Sequence, residues 1–316
     1  MNIVGDTSKT VLQGVADRAA WREQRLNRER RRHGSLGNRL RVSQPWTAWE
    51  QGFRLLGRSL TIGGLYRRGV RNALALRITR VTLRFRDLPA RFDGLTILQL
   101  SDLHVGTLPG TTEAAIELVR TLEPDLCVLT GDYQRTERDS PESILPALSN
   151  LVAAISAREG IFAILGNNDS AALVAPLEAL GVTVLVNETV SLARGTAWLH
   201  MTGVDDVHTF FSQDAVEALS STPNGFKIAL VHSPELAETA AANGYRLYLT
   251  GHTHGGQIAL PGGRPLVTNL SRCHRFARGL WRHGNLAGFT SSGVGVSVLP
   301  LRFNTRGEVA LLTLHR

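Results

Sequence analysis

From about residue 74 the chain alternates short apolar runs with longer stretches of mixed polarity. In 81–85, Val81, Leu83 and Phe85 alternate with Thr82 and Arg84, the period-two pattern of a half-buried strand. Apolar runs at 96–100, 126–130, 161–165, 182–186, 198–203, 226–231, 245–250, 286–291 and 309–314 have the length of strands. Between them, 111–122, 143–158, 171–180, 213–220 and 234–242 read as helices. Ser233-Pro234 opens the last one with a capping residue and a proline suited to the first turn. Strands alternating with helices predict an α/β core.

The first 73 residues follow a different pattern. Residues 18–32 are polar with charge of both signs, the pattern of a solvated helix or a disordered arm. After a break at 34–45, Trp46, Trp49, Phe53, Leu56 and Leu60 recur at steps of three and four, one face of a helix, with Arg54 and Arg58 beside it. Such a stripe suits a membrane interface, or packing onto the rest of the chain. The expected organisation is a basic, partly amphipathic N-terminal arm over 1–73 and a globular domain over 74–316.

Charge sharpens this division. Residues 1–92 carry a net +14 and residues 93–316 a net −6. A basic segment joined to an acidic body points to a polyanionic partner, an anionic membrane surface ahead of nucleic acid. No run approaches the roughly 20 apolar residues of a spanning helix. The first 30 residues hold no apolar core of a secretory leader, and Arg30-Arg31-Arg32 is followed by polar residues, unlike a twin-arginine signal. Cys127 and Cys273 are too few for a disulfide framework or a cysteine zinc site. The expected location is cytoplasmic, peripheral on the inner face of the membrane.

The chemistry collects just after strands. Run 96–100 ends in Ser101-Asp102-Leu103-His104, and 126–130 ends in Gly131-Asp132. Run 161–165 ends in Gly166-Asn167-Asn168-Asp169, 226–231 in His232, and 245–250 in Gly251-His252-Thr253-His254-Gly255-Gly256. In open α/β sheets, ligands bind beyond the carboxyl ends of strands. Asp102, His104, Asp132, Asn167, His232, His252 and His254 make a mixed nitrogen and oxygen donor set without thiolates. That set suits manganese, iron, zinc or cobalt rather than calcium. Seven ligands exceed one tetrahedral site and suit two ions sharing a carboxylate, an arrangement that serves phosphoryl transfer. Away from this set, His208 and Arg135 are candidates to meet a substrate, and Arg272, His274, Arg275 and Arg278 form a basic loop.

This order of motifs, over about residues 92–316, resembles the calcineurin-like metallophosphoesterases. The resemblance implies a four-layer sandwich of two mixed β-sheets flanked by helices. It implies two divalent ions, manganese first with iron, zinc, cobalt or magnesium as alternatives. Asp102, His104 and His254 would hold one ion, Asn167, His232 and His252 the other, and Asp132 would bridge them. The stretch 98–106, Ser292-Gly293-Val294-Gly295 and Leu299-Pro300-Leu301-Arg302-Phe303 are similar to a bacterial branch of membrane-associated phosphodiesterases. Its relatives include a UDP-2,3-diacylglucosamine pyrophosphatase. The family usually has Gly-Asn-His-Asp/Glu, where this chain has Gly166-Asn167-Asn168-Asp169. Asn168 can donate a hydrogen bond to developing charge, but an amide is no general acid near neutral pH. The implied function is a dinuclear phosphohydrolase acting on a phosphodiester or pyrophosphate, lipid-linked at the membrane surface. The alternatives are a soluble nucleotide phosphodiesterase and a metal-binding scaffold that has lost catalysis.

Overall fold

The computed structural model describes residues 9–14, 17–39 and 63–316; the tryptophan stripe of 46–60 lies outside the described residues. Among the described residues the first elements are β1 (Lys9–Gly14), α1 (Arg18–Arg39) and α2 (Tyr66–Leu74). Then come β2 (Arg77–Arg84), β3 (Leu95–Leu100), α3 (Thr111–Val119), β4 (Leu126–Leu129), α4 (Leu145–Ala154), β5 (Ile161–Ala163), α5 (Val174–Ala179) and β6 (Thr183–Val184). The second half holds β7 (Glu188–Arg194), β8 (Ala197–Gly203), α6 (Gln213–Ser221), β9 (Phe226–Leu230), α7 (Ala237–Ala242) and β10 (Leu247–Thr250). It ends in β11 (Gly279–His283), β12 (Leu286–Thr290) and β13 (Glu308–His315).

Among the described residues these strands build two mixed sheets, one ordered β2-β13-β3-β4-β5-β6 and the other β1-β7-β8-β9-β10-β12-β11. Both faces of their central strands are buried, which is why those strands read as continuous apolar runs. In β3, Leu95 and Ile97 point into the space between the sheets, where they meet Val128, Ile164, Met201, Ile228, Leu249 and Leu312. Leu98 and Leu100 point the other way, into the layer that holds α3, α4 and α5. A third cluster lies under α6 and α7 on the far sheet. Helices, sheet, sheet and helices make the four layers expected.

The helix at 234–242 divides into a 3₁₀ turn, Pro234–Leu236, and α7. Ser233 does precede it, but its hydroxyl donates to the Glu235 carboxylate (2.9 Å) instead of capping a backbone N–H. Among the described residues, three strands carried no apolar pattern: β1, β7 and β11. In β7 the polar residues are buried because each has a partner. Thr189 and Thr202 share a hydroxyl hydrogen bond (2.8 Å), as do Ser191 and the His200 ring (2.8 Å).

The N-terminal segment also departs from the expectation of a solvated or disordered arm. β1 pairs antiparallel with β7, and α1 buries Trp21, Arg25 and Glu29 against the body. Helix α2 approaches the Leu301–Phe303 segment so closely that a Cβ at Gly69 would overlap both side chains. No helix among the described residues is long and apolar enough to cross a membrane.

Asp125 ties the start of β4 to β3. Its carboxylate accepts from the Thr96 N–H (2.7 Å) and hydroxyl (2.9 Å) and pairs with Arg158 and Arg194. Burial alone would raise its pKa, but these donors and cations hold it below the ordinary carboxylate range. Its contribution is therefore present above the unfolded value and lost as pH falls through the folded one. We expect Asp125→Asn to cost about 1–3 kcal/mol at pH 7. The gap to the parent should narrow below about pH 4, which urea melts at both pH values would measure.

Candidate metal centre

β3, β4 and β5 run parallel, as do β8, β9, β10 and β12, so their carboxyl ends gather at one edge of the sandwich. The five motifs stand there. Leaving a strand within one or two residues and turning a side chain inward requires unusual backbone. Asp102, His104, Asp132, His252 and His254 all have positive φ, between 40° and 69°. Strain of this kind costs about 1–3 kcal/mol per residue and marks functional sites. Gly166 leaves room where a Cβ would overlap the Asp132 carboxylate and the His232 ring.

All seven proposed ligands converge, and all are buried. His104 Nε2 lies 3.0 Å from His254 Nε2 and 3.5 Å from an Asp132 oxygen, while His254 Nε2 is 3.6 Å from Asp102. On the other side, His232 Nε2 is 3.4 Å from the same Asp132 oxygen, and His252 Nδ1 is 2.8 Å from Asn167 Oδ1. Asp102, His104 and His254 form one group with metal-ligand spacing; Asp102, Asp132 and His232 form another.

The surrounding contacts orient the rings. His104 Nδ1 and His232 Nδ1 face the carbonyls of Gln134 (3.0 Å) and Thr130 (2.7 Å), which leaves each Nε2 free to ligate. His252 is turned round: its Nε2 faces the Asn269 carbonyl (3.0 Å) and its Nδ1 the centre. His232 Nε2 is buried without a hydrogen-bond partner, as expected of a donor aimed at a cation. The donor set and this orphaned nitrogen fit divalent metal binding.

The electrostatics match only in part: burial would lower His232, but the Asp132 and Asp102 carboxylates beside it hold its pKa well above the ordinary imidazole range. Burial raises the pKa of Asp102, with the Asp132 charge adding to it. Asp132 is equally buried, but the His232 and His104 rings and the Asn168 N–H hold it well below the ordinary range. Burial, then the neighbouring His232, lowers His252 to about 4, and burial lowers His254 as well. Neutral imidazoles are the metal-binding form.

Asn168 donates both its N–H (2.8 Å) and its side-chain amide (2.7 Å) to the Asp132 carboxylate. His208 reaches the edge of the centre, its ring 4.3 Å from that of His252. Its Nδ1 faces buried Glu235 at 3.1 Å. Arg135 does not join the cluster: it is exposed and paired with Asp139 (3.1 Å). Arg272, Arg275 and Arg278 are likewise engaged with Glu235, Glu238 and Gly263.

Sequence reading missed two supports. Glu235 accepts from His208, from the Ser271 N–H (2.9 Å) and hydroxyl, and from Ser233 (2.9 Å); nothing in Ser233-Pro234-Glu235 signals that role. Arg302 is fully buried and donates to the carbonyls of His254 (3.0 Å), Ser292 (2.6 Å) and Gly295 (2.6 Å). An arginine inside an apolar Leu-Pro-Leu-Arg-Phe run was a signal available in the sequence.

A model of the calcineurin-like phosphoesterase family matches residues 95–256. The chain is 32% identical to metallophosphoesterase YkuE of Bacillus subtilis, over 81% of this chain and 92% of the relative. It is 30% identical to metallophosphoesterase YkoQ of the same organism, over 78% of this chain and 92% of the relative. Phosphodiesterase YaeI of Escherichia coli is also 30% identical, over 73% of this chain and 84% of the relative.

Proposed function

Because the chain belongs to the calcineurin-like phosphoesterase family and is thereby a metal-dependent phosphoester hydrolase, we propose that it holds two divalent ions and cleaves a phosphodiester or pyrophosphate bond. In this reading Asp102, His104 and His254 hold one ion, Asn167, His232 and His252 the other, and Asp132 is shared. Manganese is the first choice for this donor set, ahead of iron, zinc, cobalt and magnesium. The observation that carries the reading is the position of Asp132 Oδ2, 3.5 Å from His104 Nε2 and 3.4 Å from His232 Nε2. When bound, the ions supply a water of lowered pKa and positive charge for the phosphoryl oxygens.

The chain's own residues do the rest. Asn168 fixes the shared carboxylate through its backbone and side-chain N–H groups, and its amide would stabilise charge on the substrate only by turning from Asp132. His208, held through Nδ1 by Glu235, would hand a proton from Nε2 to the leaving oxygen once that nitrogen leaves the Asn269 amide, 3.5 Å away. Arg135 would have to leave Asp139 to reach a phosphate. Removing His208 tests this division of labour. His208→Gln should lower turnover of alkyl phosphodiesters by about 10²-fold, the scale of general acid catalysis, and of p-nitrophenyl esters far less, while Asn168→His should change either by less than about ten-fold. Equal losses on both in His208→Gln, or none, would place proton donation elsewhere.

A lipid-linked substrate at the membrane surface, such as UDP-2,3-diacylglucosamine, is supported by two features. The segment that carries Asn269 over His252 exposes Leu260, Leu266 and Val267, and residues 1–92 carry the net +14. A peripheral, cytoplasmic location follows from the same reading, with an anionic membrane surface favoured over nucleic acid. Asn168 in place of histidine favours the second reading, a metal-binding scaffold. Hydrolysis of UDP-2,3-diacylglucosamine in mixed micelles, measured against a soluble cyclic nucleotide, separates the substrate classes. Turnover of only the nucleotide would make the enzyme a nucleotide phosphodiesterase, and turnover of neither would favour the scaffold.

A further inference from the structure

Helix α1 lies outside the span that matches the family model, yet it touches two loops of the centre. Trp21, Arg25 and Glu29 recur at steps of four, so they share one face. Each grips catalytic-edge backbone or the acid that organises it. Trp21 Nε1 donates to Asp205 (2.9 Å), and Arg25 Nε donates to the same carboxylate (3.0 Å). Arg25 Nη2 reaches the carbonyls of Gly166 (3.4 Å) and Asp169 (3.2 Å). Glu29 accepts from the Ser170 hydroxyl (2.8 Å) and the Ala171 N–H (2.9 Å).

Gly166 and Asp169 bracket Asn167 and Asn168. The turn carrying both asparagines is held on one side by the Asp169 carboxylate, which accepts the N–H groups of Gly166 and Asp132 (both 2.7 Å). On the other side it is held by the Arg25 guanidinium. That guanidinium also lies 3.1 Å from the centroid of the Phe210 ring, in the loop that carries His208. With its side chain 1% exposed, Arg25 sits among the largest fully buried side chains of the protein. Burying an arginine is costly unless its donors are used, and here every nitrogen has a partner: Asp205, Glu29 and the two carbonyls.

We propose that Arg25 is a positioning residue for the metal centre, fixing the Asn167–Asn168 turn and joining it to the His208 loop, so that α1 forms part of the catalytic unit. This rests on the reading of Asn167 as a metal ligand. The planar fork matters: an ammonium at the same place can satisfy Asp205 but cannot span two carbonyls as well.

The test uses the full chain with Arg25→Lys, Arg25→Gln and, as control, the exposed Arg22→Gln on the same helix. Manganese uptake is followed by calorimetry, turnover by hydrolysis of bis-p-nitrophenyl phosphate, and folding by circular dichroism. Groups that orient metal ligands typically affect affinity by 10- to 100-fold. Arg25→Lys should fold, since it keeps the charge beside Asp205, yet bind one of two ions about 10- to 100-fold more weakly. Its kcat should fall in the same range with KM within about two-fold, and Arg22→Gln should match the parent. A folded Arg25→Lys with parental ion affinity and kcat overturns the proposal, whether or not Arg25→Gln folds. A parent protein that takes up fewer than two ions would instead defeat the dinuclear reading, and this inference with it.

Discussion

Asp132→Ala is expected to lower kcat/KM on a phosphodiester by at least about 10³-fold and to lower the number of ions held per chain. The size follows from what a charge-stabilising group at a reacting centre is worth, about 10²–10³ for a neutral donor and more for a shared anionic ligand. Asp132 Oδ2 faces ring nitrogens from both halves of the cluster, so its removal leaves neither half complete. Asp132→Asn separates charge from shape. It keeps the volume and an oxygen for the Asn168 N–H, which donates to Oδ1 in the parent, but loses the negative charge. We expect it to be nearly as inactive as the alanine variant. Steady-state rates with calorimetric ion counts check both, and a variant within ten-fold of the parent would remove Asp132 from the shared position.

The second large effect is on stability. The fully buried Asp169 carboxylate accepts four backbone N–H groups: Gly166 and Asp132 at 2.7 Å, Tyr133 at 2.8 Å and Gln134 at 3.1 Å. Burial and the charge of Asp132 raise its pKa to about 6, so the site holds an anion only because those donors face it. In Asp169→Ala the donors stay buried with nothing to accept them. Each orphaned group costs about 1–3 kcal/mol, and with partial relaxation we expect a loss of about 4 kcal/mol or more. Urea melts of the metal-free variant measure this without interference from ion binding. A loss under about 1 kcal/mol would mean that the turn finds other acceptors. The same variant should lose both asparagines from the centre, since Asp169 ends the turn that carries them.

The sheets and the cluster of residues proposed as ligands were legible in the sequence for a shared physical reason. Strands such as β3 and β4 are buried on both faces, so they read as unbroken apolar runs, and the first polar residues after them stand at the sheet edge. That alone placed Asp102, Asp132, Asn167, His232 and His252 at one edge of the sandwich. β7 was hidden because Thr189 and Ser191 are buried through side-chain hydrogen bonds with Thr202 and His200, a pairing that requires the neighbouring strand. The docking of α1 was hidden for a related reason. Its buried residues are Trp21, Arg25 and Glu29, two of them charged, and a charged face reads as solvated until its partners are in view. The left-handed backbone at five of the seven proposed ligands had no sequence signal either, since none of them is glycine. His208 could be named, but its support could not, because Glu235 and Ser271 come to it from distant segments.

The most direct test of the dinuclear phosphohydrolase is to titrate manganese into metal-free parent protein while following hydrolysis of bis-p-nitrophenyl phosphate. Activity should rise until two ions are bound per chain, disappear on chelation and return when manganese is restored. A folded protein that binds two ions and leaves both this diester and UDP-2,3-diacylglucosamine intact would contradict the account and make the cluster a metal-binding scaffold.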